Sequence, residues 1–483
     1  MTNYLQQIMS YFRNKALNAA GAERDLLTLI QDGDIGTAIQ LMQNRDIEVD
    51  EAISEYYPQN HAVMTRPNKF REGKDPYISE KLPRSRQRYI NEVELFFLLG
   101  NPILWKKADG DDDAFTLFTE FLKAQRFDAN MRKFKRLAGA ETEAAKLYHI
   151  FRDDRTDEIQ VKTVILARES GYRLRPLFDQ YGNMRAFAYG YQLNEGGKAT
   201  QHWDIQTPDF LFFARKSAIG WEVDTYQNPT GKINIIYARQ PKSWDGAEQR
   251  LKREEMLDSK VADTNNYFAD PIATATADVI QGMLDPEKPG KLIQLTGTQS
   301  IFEYVNPPQN SVTRQDEKND LNDSILFDTF TPDFSFDKIK GMGTLSGDAI
   351  KNAMILGFIK RDNRKEIYEE LVDREKNIVI AILKYMYPNM AAALDSLVIE
   401  FDFSEPFAQD KQKNWQSISQ LYQAGLVSLE SAVEMLALTD APEEEIARIL
   451  GAQQRAMLLM QSASAQKQEN PMDGEEGEEG EER

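Results

Sequence analysis

The residue types able to do chemistry are few, and their spacing does not suit it. There are three histidines, His61, His149 and His202, lying far apart, and no cysteine. A histidine-based zinc site or a nucleophile–histidine pair has little material to draw on. Disulfides and thiolate sites are excluded, which fits a reducing compartment. Carboxylates are plentiful. Asp109, Asp111, Asp113 and Glu120 fall at positions 1, 3, 5 and 12 of an EF-hand loop, but position 6 is Ala114 where glycine belongs. The plainer reading is an acidic first turn on a helix beginning near Ala114. Carboxylates such as Asp111 and Asp113 leave a metal-dependent nuclease as the enzymatic alternative. Gly231-Lys232 and Gly290-Lys291 both lack the earlier glycine of a P-loop, and no GxSxG, HExxH or GxGxxG occurs. No catalytic residue, metal site or cofactor is expected.

The chain has 483 residues, enough for two to four folding units. It is 41% hydrophobic and 28% charged, so it can bury a sizeable core. No apolar run is long enough to span a membrane, and Met1-Thr2-Asn3-Tyr4 opens no signal peptide. The net charge of −19 argues against tight nucleic-acid binding, which needs clustered Lys and Arg. Brief contacts through a few local basic residues remain compatible with it. An acidic surface suits a protein past which DNA must slide.

Apolar periodicity predicts helices through most of residues 1–55, with Leu26, Leu27, Leu29 and Ile30 leading into Asp32-Gly33-Asp34. Gln59 to Arg84 is polar and punctuated, reading as a connector or an ordered arm. Ser85–Leu99 is a predicted helix stopped at Gly100-Asn101-Pro102. Phe115–Phe151 reads as helical throughout, with Arg132, Lys133, Lys135 and Arg136 in one basic patch. From Ile159 the period changes to two. Strands are expected at 159–167, 173–179, 185–191, 200–204, 210–214, 220–224 and 232–237, making a β-rich middle among helices.

Glu248–Asn265 and Ser311–Phe330 are the next predicted helices. They bracket a short mixed module with strands at Lys291–Leu295 and Ser300–Val305, so they can lie antiparallel with the module at their tip. Thr331 to Leu345, containing Pro332, Gly341 and Gly343, breaks the helical pattern. Ser346 then offers an N-cap to a helix from Ala349 to Tyr387, in which Gly357 is a plausible kink. Ile367, Leu371, Ile378 and Ile382 mark its apolar face. A strand at Ser396–Phe403 and short helices at Trp415–Ala424, Ser428–Leu436 and from Pro442 follow. From Ala463 the Gly/Glu-rich tail cannot bury a core.

Several stretches in this order resemble the portal proteins of tailed bacteriophages. They are Glu94-Leu95-Phe96-Phe97-Leu98-Leu99-Gly100-Asn101-Pro102, the strand–turn–strand Arg175–Asn183, Leu345-Ser346-Gly347-Asp348-Ala349-Ile350-Lys351, Phe403-Ser404-Glu405-Pro406 through Ser428, and Pro442–Ile446. The resemblance implies a mainly helical α+β portal fold. Residues 1–241 and the long helix 346–389 would be the wing. Helices 242–265 and 311–330 would be the stem, 266–310 the clip, 331–345 a tunnel loop, 390–465 the crown and 466–483 an acidic tail. It also implies a non-enzymatic homo-oligomeric ring, usually of twelve subunits. The ring would be made in the host bacterial cytoplasm and placed at one capsid vertex of the virion.

The resemblance further implies partners. Double-stranded DNA would pass through the ring without sequence preference. A terminase motor, a head–tail adaptor, and major capsid and scaffolding proteins would dock on it. DNA contact is expected from Lys338, Lys340 and Met342 in the tunnel loop. Docking on the stem and clip is expected from Glu248, Arg250, Lys252, Arg253 and Tyr304. A helical head or scaffold adaptor without a channel is the remaining alternative.

Overall fold

A computed structural model of the chain describes residues 26–71, 74–153, 155, 157–269, 273–275, 302–304, 311–335, 338, 340, 347–406, 411–436 and 442–468. It forms two compact units, residues 1–406 and 407–483.

In the first unit, helical residues 26–31 lead to α1 (Ile35–Leu41) and α2 (Asp46–Tyr56). Asp34 caps α1 by accepting the Thr37 amide at 3.1 Å. Two single 3-10 turns precede β1 (Lys69–Arg71) and β2 (Lys74–Tyr77), which pair antiparallel. Next come α3 (Arg86–Leu99), β3 (Ile103–Asp109), α4 (Asp112–Ala124) and α5 (Phe127–Glu141). The β-rich middle comprises β4 (Glu143–Arg152), β5 (Ile159–Leu166), β6 (Arg173–Phe178), β7 (Met184–Glu195), β8 (Lys198–Gln206), β9 (Phe210–Lys216), β10 (Trp221–Gln227) and β11 (Ile235–Arg239). Helix α6 (Glu248–Ala269), paired strands β12 (Ala273–Ala275) and β13 (Phe302–Tyr304), and helix α7 (Ser311–Asp328) follow. The unit closes with α8 (Gly347–Ala353), α9 (Ile355–Met386), α10 (Ala391–Ser396) and β14 (Val398–Phe403).

Strands β6 to β10 form an antiparallel meander in the order β10-β9-β8-β7-β6, and β11-β4-β5 form a second sheet. The two sheets share a core of Leu147, Leu166, Leu174, Phe187, Tyr189, Ile235 and Tyr237. Leu26, Ile30, Ile35 and Ala38 of the N-terminal helices pack against Trp203, Ile205, Phe212 and Ala214 of the meander. The largest core surrounds α9. Its Tyr368, Leu371, Val372, Ile378, Val379, Ile382 and Leu383 repeat every three or four residues and meet α3, α4, α5 and β4. β14 pairs with β3, and Arg361 of α9 donates to the Phe403 carbonyl at 2.7 Å.

The second unit contains α11 (Lys411–Gln423), α12 (Leu429–Leu436) and α13 (Pro442–Gln468). Gly425, at φ 70°, ends α11, with Leu426 N donating to Leu421 O and Gly425 N to Tyr422 O. Ser428 caps α12 by accepting the Ser431 amide at 3.2 Å.

Several sequence expectations need correction. The helix expected over Phe115–Phe151 is two helices and a strand. Arg126 and Thr142 adopt left-handed backbone at φ 50° and 68°, and β4 begins at Glu143. β4 is buried on both faces along its first six residues, so it lacks the alternation that reveals a strand. The long helix breaks at Met354, not at Gly357. Gly357 is regular helix, and any Cβ there would collide with the Phe97 ring, so the glycine provides clearance. β14 lies in the first unit, so the C-terminal unit starts only at 407. Helix α13 continues to Gln468, beyond Ala463. The strand expected at Lys291–Leu295 lies outside the described residues, as do residues 1–25.

Two measurements follow. In an open helix, Gly→Ala gains up to about 1 kcal/mol. At Gly357 the overpacking cost of about 1–3 kcal/mol should dominate, so Gly357→Ala should lower the melting temperature. A hinge glycine would give the opposite sign. Asp204 is buried in the meander, and burial pushes its carboxyl up to about 6 against the hydrogen bonds of Tyr189 and Tyr191. An acid raised in the fold loses its stabilising contribution as pH climbs from near 4 through about 6. Asp204→Asn should remove that slope and stabilise the protein at pH 7 by on the order of 2 kcal/mol, read from melting curves across pH.

Candidate functional site

The helix pair α6–α7 rests on a root of Tyr56, Ile90, Ala140, Trp244, Ala247, Leu251 and Ile325. Along its length the pairing is ionic. Arg250 meets Asp328, Arg253 Nη2 lies 2.6 Å from Glu317, and Lys318 lies 3.1 Å from Asp258. From Arg250–Asp328 to Asp258–Lys318 the numbering rises on one helix and falls on the other, so the two run antiparallel, as their sequence positions suggest.

The segment expected as a connector, Gln59–Arg84, is instead strapped onto α6. Alternate backbone amides of an extended stretch donate to every fourth position of the helix. Glu80 N reaches Asp263 Oδ1 at 2.8 Å, Leu82 N reaches Ser259 Oγ at 3.0 Å and Arg84 N reaches Glu255 Oε1 at 2.8 Å. Two extended residues rise about 6.6 Å and four helical residues about 6 Å, so the two repeats stay in register. Charges complete the strap. Arg66 pairs with Asp263 at 2.5 Å, Arg84 with Asp258 and Glu254, and His61 Nδ1 lies 2.6 Å from Glu255. The acidic face of α6 is thereby neutralised within the chain.

Most of the docking residues expected on the stem are also occupied. Arg250 and Arg253 hold α7. Lys252 stands 3.3 Å from Glu55, and Glu248 lines a cavity with Glu51, His61 and Trp244. Tyr304 lies in β13, opposite Ala273. On α7, Asp316, Asp320 and Asp323 are exposed on one face. Beyond α7 the tunnel loop begins. Lys338 and Lys340 are both exposed, and Met342 lies outside the described residues. The loop entrance is clamped by Tyr89, whose hydroxyl donates to Pro332 O and accepts from Phe334 N, both at 2.8 Å.

Behind this entrance sits a charged cluster that reading the sequence did not single out. Glu94 of α3 is fully buried. Its Oε1 accepts from Lys135 Nζ at 2.5 Å and Arg364 Nε at 3.1 Å, and Lys360 Nζ lies 3.6 Å from Oε2. Burial acts to raise the Glu94 carboxyl, but Lys135, Arg364 and Lys360 together hold it down at about 2. Burial, aided by repulsion from Lys135 and Arg364, pushes the Lys360 ammonium down to about 7 against the pull of Glu94. Lys135 is therefore not part of a phosphate-facing patch: it is fully buried, and its neighbour Arg136 pairs with Glu92 at 2.6 Å. The usable sequence signal was a charge inside an apolar run, as in Val93-Glu94-Leu95 and Phe358-Ile359-Lys360.

The acidic loop at Asp109–Glu120 caps a helix. Asp111 accepts the Ala114 amide at 2.9 Å, and Glu120 is part of α4. No group of three or more His, Asp or Glu able to hold a metal occurs among the described residues.

Residues 42–457 match the phage portal protein family, SPP1 Gp6-like. The chain belongs to this family. It is a portal protein, a virion component of the head–tail connection at a capsid vertex. No curated protein matches it. Among solved structures, a chain from the "Neck of native GTA particle computed with C12 symmetry" aligns at 12% identity and TM-score 0.42, covering 82% of this chain and 94% of that one. One from the "Virion of native gene transfer agent (GTA) particle" aligns at 11% identity and TM-score 0.39, covering 73% and 89%.

The portal's charged cluster makes a sharp prediction. Glu94→Gln leaves three buried cations without their anion and should cost about 3–5 kcal/mol in denaturant unfolding. Asp112→Asn, at the exposed Lys107–Asp112 pair, should cost less than about 1 kcal/mol.

Proposed function

We propose that copies of this chain assemble into a ring around a channel through which double-stranded DNA is packaged and later ejected, with no catalytic step of its own. The observation that carries this reading is the antiparallel pair α6–α7, strapped along one side and ending in a loop with exposed Lys338 and Lys340. The pair would be the stem, and the inserted residues 266–310 the clip that meets the terminase motor and then the adaptor. Residues 1–241 with α9 would be the wing, and the unit from 407 the folded part of the crown. Arg250, Lys252 and Arg253 would act mainly by bracing the stem, since each already has an acidic partner in the chain. Glu248 and Tyr304 remain docking candidates.

In such a channel, Lys338 and Lys340 would make phosphate contacts that fix no sequence, together with Met342 of the same loop. The acidic face of α7, Asp316, Asp320 and Asp323, would favour sliding over sticking.

Purified protein should give a species of about twelve times the 55.3 kDa chain mass with a central hole, by native mass spectrometry and negative-stain imaging; rings commonly close with cyclic symmetry. Lys338→Ala with Lys340→Ala should leave that mass unchanged and alter DNA packaging or retention. Loss of the ring in this variant would make the loop a packing element instead.

A further inference from the structure

We propose that Lys360 is a positioning residue that closes the tunnel loop at its base, holding the strained end of α7 against the helix that follows the loop. The inference rests on the channel reading above for its functional consequence, but its geometry stands independently of that reading.

The loop leaves α7 at Asp328 and re-enters helix at α8, which leads directly into α9. Lys360 lies in the second turn of α9. Its Nζ is 3.2 Å from Thr331 Oγ1, at the start of the loop, and 3.0 Å from Ser243 O, just before α6. One side chain therefore ties the roots of both stem helices to the helix on the far side of the loop. It is almost completely buried, so water does not substitute for these acceptors.

The end it holds is strained. Phe330 sits in left-handed backbone at φ 48°, the position glycine normally takes after a helix. Thr331 N donates to Leu326 O at 2.8 Å and Phe330 N to Phe327 O at 3.0 Å, the paired bonds of a Schellman cap. Thr331 Oγ1 also meets Thr329 Oγ1 at 2.9 Å, and Thr329 Oγ1 reaches back to Ile325 O at 2.8 Å. Lys360 thus terminates a hydrogen-bond chain running into the last turn of α7.

A second resting place for Lys360 is already built. Glu94 Oε2 is buried and accepts no hydrogen bond from any described residue, and it stands 3.6 Å from Lys360 Nζ. A short swing would exchange the Thr331 and Ser243 acceptors for a charge-assisted bond to that oxygen. The cap at Phe330 and Thr331 would then lose its outer support, and the end of α7 would be free to refold with the loop. The geometry is a two-position contact between a rigid helix and a strained one.

Hydrogen exchange on the assembled ring tests this. In Lys360→Met, which keeps the length and removes the donors, amides of Phe330 and Thr331 should exchange about tenfold faster or more, while the ring mass is unchanged. Thr331→Val should reproduce that change without altering any charge. Lys360→Arg, which keeps a donor in reach of Thr331, should restore protection at Thr331. DNA packaging by rings carrying Lys360→Met and Thr331→Val should change in parallel with exchange. Unaltered exchange at Thr331 in Thr331→Val overturns the proposal, including in the event that Lys360→Met does not fold. Faster exchange with wild-type packaging in both variants would leave a purely structural contact and overturn the positioning role. Wild-type rings that do not take up DNA would refute the channel reading, while the exchange data would still decide the contact.

Discussion

Glu94 is a carboxylate removed completely from water in the middle of an apolar helix. Isolated, such a charge would neutralise or unfold its surroundings, because effective burial penalties run to several kcal/mol per ion. It stays ionised because three cations converge on it from two other helices, Lys135 from α5 and Lys360 and Arg364 from α9. This fixes how α3, α5 and α9 must sit, since no single pair among them satisfies the charge. Gln240 and Tyr368 extend the constraint, with the Tyr368 hydroxyl donating to Gln240 Oε1 at 2.9 Å and Gln240 Nε2 lying 3.4 Å from Glu94. A second buried pair, Lys146–Glu375 at 2.5 Å, pins the next part of α9 to β4. The long helix is therefore held by charge at two heights and by apolar packing between and beyond them.

The stem hangs from this frame. Its two helices have a small apolar root and are otherwise joined by ion pairs, several of them exposed, which contribute little each and weaken with salt. The extra rigidity of α6 comes from the strap, where backbone amides and buried charges such as Arg66–Asp263 share one helix face. Buried charge pairs are costly to break, so strap and helix should move as one body. α7 has no such strap, and its end at Phe330 is strained. The asymmetry places the mobile part of the stem on the side that leads into the tunnel loop.

Much of the fold was legible in the sequence. The stem helices, the break after Phe330, the meander and the C-terminal helices all carried periodicity or punctuation that their local chain could express. Local signals failed where an element was buried on all sides. β4 has no alternation because both its faces are covered, so it read as a continuation of α5. Gly357 read as a kink, but its role is set by Phe97, 260 positions earlier in the chain. The strap read as a loop because its partners, from Glu254 to Asp263, are nearly two hundred residues away.

The sequence by itself determined the class of the protein, since the order of its motifs and the absence of catalytic signatures depend only on residue type and spacing. It also determined that no thiol chemistry can occur, and which loop carries exposed lysines. Only the tertiary structure decided what the charges do. Lys135 and Arg136 look like one basic patch on paper, yet one is core and the other surface, because adjacent residues on a helix lie about 100° apart. Arg250 and Arg253 look available to partners, yet both are engaged by α7. A charge declares its type in the sequence. Its role depends on which distant residue lies within a few ångströms, and only folding sets that distance.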